Sequence, residues 1–124
     1  MQGIAATWID VEDHHFDPPA SKLITELVYK PRNGGLPPDE AAVAAGEAEL
    51  AGVLDVYEER LTSSEYLGGD KFTMADLTHL PCLHFLMRTQ VKRIVDERPK
   101  VSAWCAAIMS RPAWTMVVAM AAEK

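Results

Sequence analysis

The chain has 124 residues, of which 48% are hydrophobic, 24% charged and 7% aromatic, a composition typical of a globular domain with a modest core. Its 18 acidic and 12 basic residues give a formal net charge of -6, which argues against nucleic acid or an anionic membrane surface as a partner. We expect neither a leader peptide nor a membrane-spanning segment, since no apolar stretch approaches roughly 18 to 20 residues, so the cytoplasm is the expected compartment.

The first predicted helix runs from Gly3 to Phe16. Its apolar positions recur at helical spacing, at Ile4, Trp8, Val11 and His15. The sequence Asp17-Pro18-Pro19 follows directly. Because proline lacks an amide hydrogen and crowds the preceding turn, we predict that the helix kinks or restarts there and resumes from Ser21 to Tyr29.

The segment from Pro31 to Pro38 contains three prolines, two glycines and Asn33 and is predicted to be an exposed loop. Asp39 and Glu40 then supply carboxylates at the positive end of a second long helix, which we expect to end near Leu61. Its apolar face comprises Val43, Leu50, Leu54, Tyr57 and Leu61.

The most informative local signal is a capping box. Thr73 is a predicted N-cap, Asp76 stands three residues later, and Phe72 and Leu77 flank them as a hydrophobic staple. The residues that follow are nearly all apolar, so the sequence predicts one central, buried helix that starts at Thr73 and bends at Pro81.

The C-terminal part is also predicted to be helical. One or two turns are expected around Val91, Ile94 and Val95, then a helix over residues 100–110 and a final apolar helix over residues 113–122. No run alternates with a period of two and no internal repeat occurs. The expected fold is therefore all-α, with residues 1–124 forming one domain.

Metal and redox chemistry find little support in the sequence. His79 and His84 are five residues apart and His14 and His15 are adjacent, so neither pair shares a helix face, and no metal site is predicted. The two cysteines, Cys82 and Cys105, have no CxxC spacing and lie among apolar residues, so they are expected to be buried free thiols.

No self-sufficient catalytic site is visible either. The serines have no paired base in a strand-turn-helix context, and the glycines form no phosphate-binding loop. Asp10, Glu12 and Asp13 crowd one short segment, where one of them could hold a ligand ammonium or all could form a solvated acidic face. No residue is assigned a catalytic role.

Several segments, spread over essentially the whole chain, carry a family resemblance. They are Trp8 to Ser21, Val53 to Glu58, Tyr66 to Asp70, Phe72 to Leu77, His79 to Pro81, Arg98 to Val101 and Arg111 to Trp114. Together they resemble the C-terminal domain of plant phi-class glutathione transferases. The resemblance implies an all-α helical bundle with a kinked first helix, from homodimeric enzymes that need no cofactor and conjugate glutathione, as co-substrate, to apolar electrophiles.

The resemblance also implies roles for individual residues. Phe16 and Ala20, one helical turn apart, would line the electrophile pocket, with ordinary core packing as the alternative. Asp13 would pair with the ammonium of glutathione bound to the neighbouring subunit, and Asp10 or Glu12 could take its place.

Two further residues and one departure complete the comparison with the family. Thr73 and Asp76 match the family's capping box and would be structural. Cys105 stands where the family usually has a second tryptophan after Trp104, which leaves less aromatic bulk there.

The family's thioredoxin-like half, with the serine that activates glutathione, does not occur in these residues. We therefore expect the chain alone to be inactive and to expose an apolar patch that drives dimerisation or other self-association. The alternative function is a non-catalytic interaction module, or a carrier of apolar ligands, with the same fold.

Overall fold

The structure, a computed structural model, describes residues 2–122, with side chains for residues 6–120. Within this part of the chain the regular structure is helical and no strand forms, apart from one isolated bridge between Tyr66 and Gly69. The predicted all-α class is confirmed. The described residues contain no helix with both the length and the apolar character required to cross a membrane.

The described helices follow one another with short connections. They are α1 (Gln2–Val11), α2 (Asp17–Ile24), α3 (Lys30–Arg32), α4 (Glu40–Ser63), α5 (Met74–Leu77), α6 (Leu80–Leu86), α7 (Lys92–Asp96), α8 (Pro99–Met109) and α9 (Pro112–Ala122). Two π-helical turns, Glu12–Phe16 and Thr25–Tyr29, join α1, α2 and α3. The predicted stripe residue Ile4 lies outside the described side chains.

The interruption predicted at Asp17-Pro18-Pro19 is a π-helical turn, and the helix neither breaks nor restarts. The Asp17 amide donates to the carbonyl of Glu12, five residues back, and its backbone keeps helical dihedral angles. Because the prolines cannot donate to carbonyls one turn back, a wider turn accommodates them without ending the helix. The second π-helical turn ends in the same way, shortly before Pro31.

The predicted helix through Pro81 is wrong in one respect. The chain forms two helices instead, because α5 ends at Leu77 and α6 begins at Leu80. Pro81 lies in the first turn of α6, where its missing amide hydrogen would have had no helical partner. A new helix start therefore costs less than a bend.

The core forms where α2 and α8 pack on α4 and α6 packs on α2. The five predicted core residues of α4 are all buried, as are Val101, Trp104, Cys105 and Ile108 of α8. Gly46 allows α2 to approach, since a Cβ there would stand 3.0 Å from the Leu23 side chain. Cys82, expected to be buried, is partly exposed.

A carboxylate from α4 fixes the start of α8. Glu58 accepts hydrogen bonds from the amides of Lys100 and Val101, each 2.9 Å away, which would otherwise be unpaired. The Arg98 guanidinium donates to Asp55 at 2.9 Å beside it. Contacts between residues that are far apart in the sequence thus set the position of α8 relative to α4.

Candidate functional site

The capping box holds a fully buried carboxylate at the centre of the fold. Asp76 Oδ2 accepts from the Thr73 amide at 2.9 Å, and the Thr73 hydroxyl accepts from the Ala75 amide at 3.2 Å. Asp76 Oδ1 accepts from the Leu67 amide at 3.1 Å and from the Trp104 indole at 2.8 Å. The capping box predicted at Thr73 and Asp76 is thus present in the structure.

A buried polar pair lies next to this carboxylate. The Tyr57 hydroxyl and His79 Nε2 are 2.7 Å apart, and both side chains are fully buried. Burial lowers the pKa of His79 to about 4 and raises the pKa of Tyr57. The histidine is therefore neutral at physiological pH and belongs to the core.

Phe16 and Ala20 lie inside this core and face no open groove. Neither side chain is exposed. The Phe16 ring stacks on Tyr57 at 6.0 Å and contacts His79 at 4.7 Å. A direct pocket-lining role for either residue is still a prediction.

Asp13 is on the surface, with about three quarters of its side chain exposed. Its carboxylate lies 4.0 Å from His14 Nδ1, which is closer to Asp10, at 3.1 Å. Hydrogen bonding to the backbone of Asp10 and the charge of its carboxylate raise the pKa of His14. Asp13 is thus accessible from solvent, and its role toward glutathione stays a prediction.

An open apolar groove lies on the neighbouring face of the same helix. We call it the α2–α6 groove; its cavity is about 190 Å³ and it is lined by Ser21, Ile24, Thr25, Tyr29, Pro81, Cys82 and Phe85. The rings of Tyr29 and Phe85 meet edge to face at 6.0 Å. Such a lining, apolar with a few hydroxyl groups, suits small aromatic or aliphatic molecules.

No local sequence signal indicates the α2–α6 groove. Ser21, Thr25 and Tyr29 recur every four residues, a spacing that places them on one helix face, but hydroxyl groups at helix surfaces carry no strong signal. The contribution from α6 could not be found locally, because Cys82 is remote in sequence.

Carboxylates adjoin one end of the α2–α6 groove. Asp17 Oδ1 accepts from the Ser21 hydroxyl at 3.2 Å, and the Cys82 thiol lies 3.9 Å from the same oxygen. Glu12 is partly buried nearby, and this burial, with the charges of Asp17 and Asp13, raises its pKa to about 7. Glu12 therefore exchanges its proton near neutral pH.

A second groove runs between α1 and α4. This α1–α4 groove has a cavity of about 460 Å³ lined by Val11, His15, Glu49, Gly52, Val53, Val56 and Tyr57. Val56 is 54% exposed, which is high for a valine. The groove is apolar and open to solvent.

A third apolar surface involves the last helix. Phe72, Leu77 and Leu80 form a shallow groove with Trp114 and Val117 of α9. Met116 and Met120 are more than half exposed beside it. Several apolar side chains of α9 are thus exposed, and the self-association expected from an apolar patch stays a prediction.

Among the side chains from residue 6 to residue 120, no three histidine, cysteine, aspartate or glutamate residues are grouped closely enough to hold a metal ion.

Comparisons with known proteins agree with this arrangement. The family model described as "Glutathione S-transferase, C-terminal domain" matches residues 16–112. A glutathione S-transferase from Hyoscyamus muticus is 55% identical over 115 residues, which are 93% of this chain and 54% of that protein. The chain spans about half the length of the curated relatives it matches.

Solved structures give the same picture. The apo form of glutathione S-transferase III superposes with a TM-score of 0.91 at 44% identity, over 94% of this chain and 54% of the other. Glutathione S-transferase I from maize in complex with an atrazine glutathione conjugate superposes with a TM-score of 0.89 at 32% identity, over 95% and 55%. The fold of the described residues is thus the fold of that domain.

The neutral, buried state of His79 predicts acid sensitivity. Between its ordinary pKa of 6.5 and about 4, the unfolded chain binds a proton that the folded chain does not, so stability is lost as pH falls. We expect the His79 contribution to fall by about 2 kcal/mol from pH 7 to pH 5. Urea unfolding of the wild type and of His79→Gln at both pH values measures it.

The control for this prediction is His14→Gln. The pKa of this exposed histidine is raised in the folded chain, so its contribution to stability increases as pH falls, opposite to that of His79. The wild type and His14→Gln are expected to lose more stability on acidification than His79→Gln does. An equal loss in all three proteins would show that His79 is not buried in its neutral form.

Proposed function

The chain belongs to the plant phi class of the glutathione transferase family, as its C-terminal domain, and from this we propose that residues 1–124 form one domain whose α2–α6 groove binds the electrophilic substrate. The family conjugates glutathione. In that reaction the thiolate of glutathione attacks the electrophile, and the domain proposed here supplies the surface on which the electrophile rests.

The observation that carries this proposal is the α2–α6 groove itself. It is open and apolar, it lies beside the buried Phe16 and Ala20, and its polar edge is made of Ser21 and Thr25. An atrazine glutathione conjugate bound to a relative supports an apolar, aromatic substrate class. Phe16 and Ala20, which are buried in the core, would affect the groove indirectly, by setting the position of α2.

Activation of the glutathione thiol is not part of the proposed role. Burial raises the pKa of Cys82 to about 11 and of Cys105 to about 12, and neither cysteine has a basic partner among the described residues. The chain by itself would thus bind electrophiles without accelerating bond formation. The proposed compartment is the cytoplasm.

The same groove favours a second candidate function, a non-catalytic carrier of apolar ligands. A binding groove without a thiol-activating group is sufficient for such a carrier. The two functions differ in whether glutathione turnover occurs in any assembly that contains the chain, whereas both require the groove to bind.

The proposed partner surface is the α1–α4 groove, occupied by a second copy of the chain. Its apolar lining and the exposed Val56 would be covered by the same surface of the other copy in a two-fold arrangement. Asp13 would then lie at the edge of the contact, where it could reach a glutathione ammonium on the neighbouring subunit.

Binding in the α2–α6 groove is tested with Thr25→Lys. The exposed Thr25 hydroxyl bonds only to the Ser21 carbonyl, so the change leaves the core intact and places a charge in the groove. We expect at least a tenfold weaker affinity for a neutral apolar fluorescent dye, measured by titration.

Thr62→Lys is the matched control, because Thr62 is an exposed helical threonine with the same kind of bond, to the Glu58 carbonyl. It is expected to bind the dye like the wild type. Equal affinity of Thr25→Lys and the wild type would place the ligand elsewhere.

Catalysis is tested with the purified 124-residue chain. Glutathione and a chromogenic aromatic halide are expected to react no faster with it than with heat-inactivated protein, since the described residues offer no group that lowers the thiol pKa. Turnover clearly above that control would contradict the proposal that the chain alone does not activate the glutathione thiol. Ser21, His14 and His15 would then be the candidates for the activating group.

Self-association through the α1–α4 groove is tested with Val56→Asp. The change puts a charge on an exposed position and removes no core contact. We expect sedimentation velocity to give dimers for the wild type and monomers for Val56→Asp at the same concentration. Met116→Asp, on the exposed face of α9, is the control and should remain dimeric; the reverse result would move the contact to α9.

A further inference from the structure

The π-helical turn places two carboxylates on the same side of the first long helix. Glu12 and Asp17 are five residues apart, which in an α-helix would separate them by about 140° around the axis. Here the Asp17 amide bonds to the Glu12 carbonyl, so the two residues stand one above the other. The turn that accommodates Pro18 thus also creates this pair.

Both carboxylates act on the Cys82 thiol. The thiol donates to Asp17 Oδ1 across 3.9 Å, and the negative charges of Asp17 and Glu12 both oppose formation of the thiolate. Burial is the larger cause of the raised Cys82 pKa, and the two carboxylates add to it. The hydrogen bond to Asp17 and the charges of the two carboxylates therefore both favour the protonated thiol of Cys82.

No cation neutralises the pair within the part of the chain whose side chains are described. Neither Glu12 nor Asp17 forms an ion pair there, and the nearby His14 lies 3.1 Å from the Asp10 carboxylate and 4.0 Å from the Asp13 carboxylate. The titratable groups that interact with the pair are Asp13 of the turn, Tyr57 of α4 and Cys82 of α6.

Cys82 also lines the α2–α6 groove and is partly exposed. If that groove binds electrophiles, as proposed above, a thiolate at this position would attack them. A carbon–sulfur bond to the protein would form, the leaving group would depart with its electron pair, and the thiol proton would pass to solvent. The groove would then be blocked by its own substrate.

We propose that Asp17, supported by Glu12, keeps Cys82 in its thiol form and so protects the α2–α6 groove from alkylation by the electrophiles it binds. Asp17 is a positioning residue here, since it acts through the thiol and not on the ligand. The inference rests on the proposed function for its purpose, but the chemistry of the thiol does not depend on it.

The test is the rate at which iodoacetamide alkylates Cys82, followed by mass spectrometry of the intact chain and its peptides at several pH values. Asp17→Asn keeps an oxygen acceptor for Ser21 and Cys82 and removes the charge. Each unit by which the thiol pKa falls raises the thiolate fraction about tenfold and lowers its nucleophilicity about threefold, a net gain of about threefold.

We therefore expect Asp17→Asn to react faster than the wild type at pH 8, by about threefold for each unit by which the thiol pKa falls, and to shift its pH–rate midpoint downward. Glu12→Gln should produce a smaller change in the same direction. Asp13→Asn, an exposed carboxylate on the same turn, is the matched control and should react like the wild type. Cys82→Ser identifies the modified residue, and Cys105 should stay unmodified.

Circular dichroism checks that each variant is folded, and the Glu12→Gln variant retains the test if Asp17→Asn is not. Equal alkylation rates and midpoints in the wild type and both folded variants would overturn the proposal. Iodoacetamide alkylates Cys82 without first binding in a groove. The effect of Asp17 on the thiol can therefore be confirmed in a protein that fails to bind the apolar dye, and dye binding can be confirmed in a protein in which Asp17 has no effect on the thiol.

Discussion

The fold depends on a buried carboxylate whose hydrogen bonds come from three parts of the chain. Asp76 is fully buried, and leaving such a group without donors would cost several kcal/mol. The donors are the Thr73 amide at the start of α5, the Leu67 amide in the preceding loop and the Trp104 indole of α8. The Asp76 side chain thus fixes the start of α5, the path of the loop before it and the position of α8.

The sequence predicted the elements that depend on local rules. The capping box, the apolar face of α4 and the class of the fold all follow from spacing and from the preferences of individual residues. It failed at the prolines, since whether a helix bends, widens or restarts depends on which carbonyls find partners. Pro18 follows a π-helical turn, whereas Pro81 starts a new helix.

The candidate site was harder to predict than the fold, because it is made by tertiary contacts between surface residues. Phe16 and Ala20 were chosen by resemblance, and in the structure they are buried, whereas Ser21 and Thr25 face the groove. Neither Cys82 nor its contact with Asp17, 65 positions away, leaves a local trace in the sequence. Periodicity predicts which face is apolar but not which neighbour it meets.

In α2, the residues that stabilise the core and the residues that line the α2–α6 groove lie on different faces of the helix. Adjacent residues on a helix differ by about 100° in direction, so Ala20 enters the core while Ser21 reaches the groove. A change of side chain on the groove face therefore alters what can bind without opening a cavity in the core. The π-helical turn adds Asp17 to the groove face, where a carboxylate is tolerated because it stays partly exposed. A domain built this way can vary its ligand while Asp76, Tyr57 and His79 keep the helices in place.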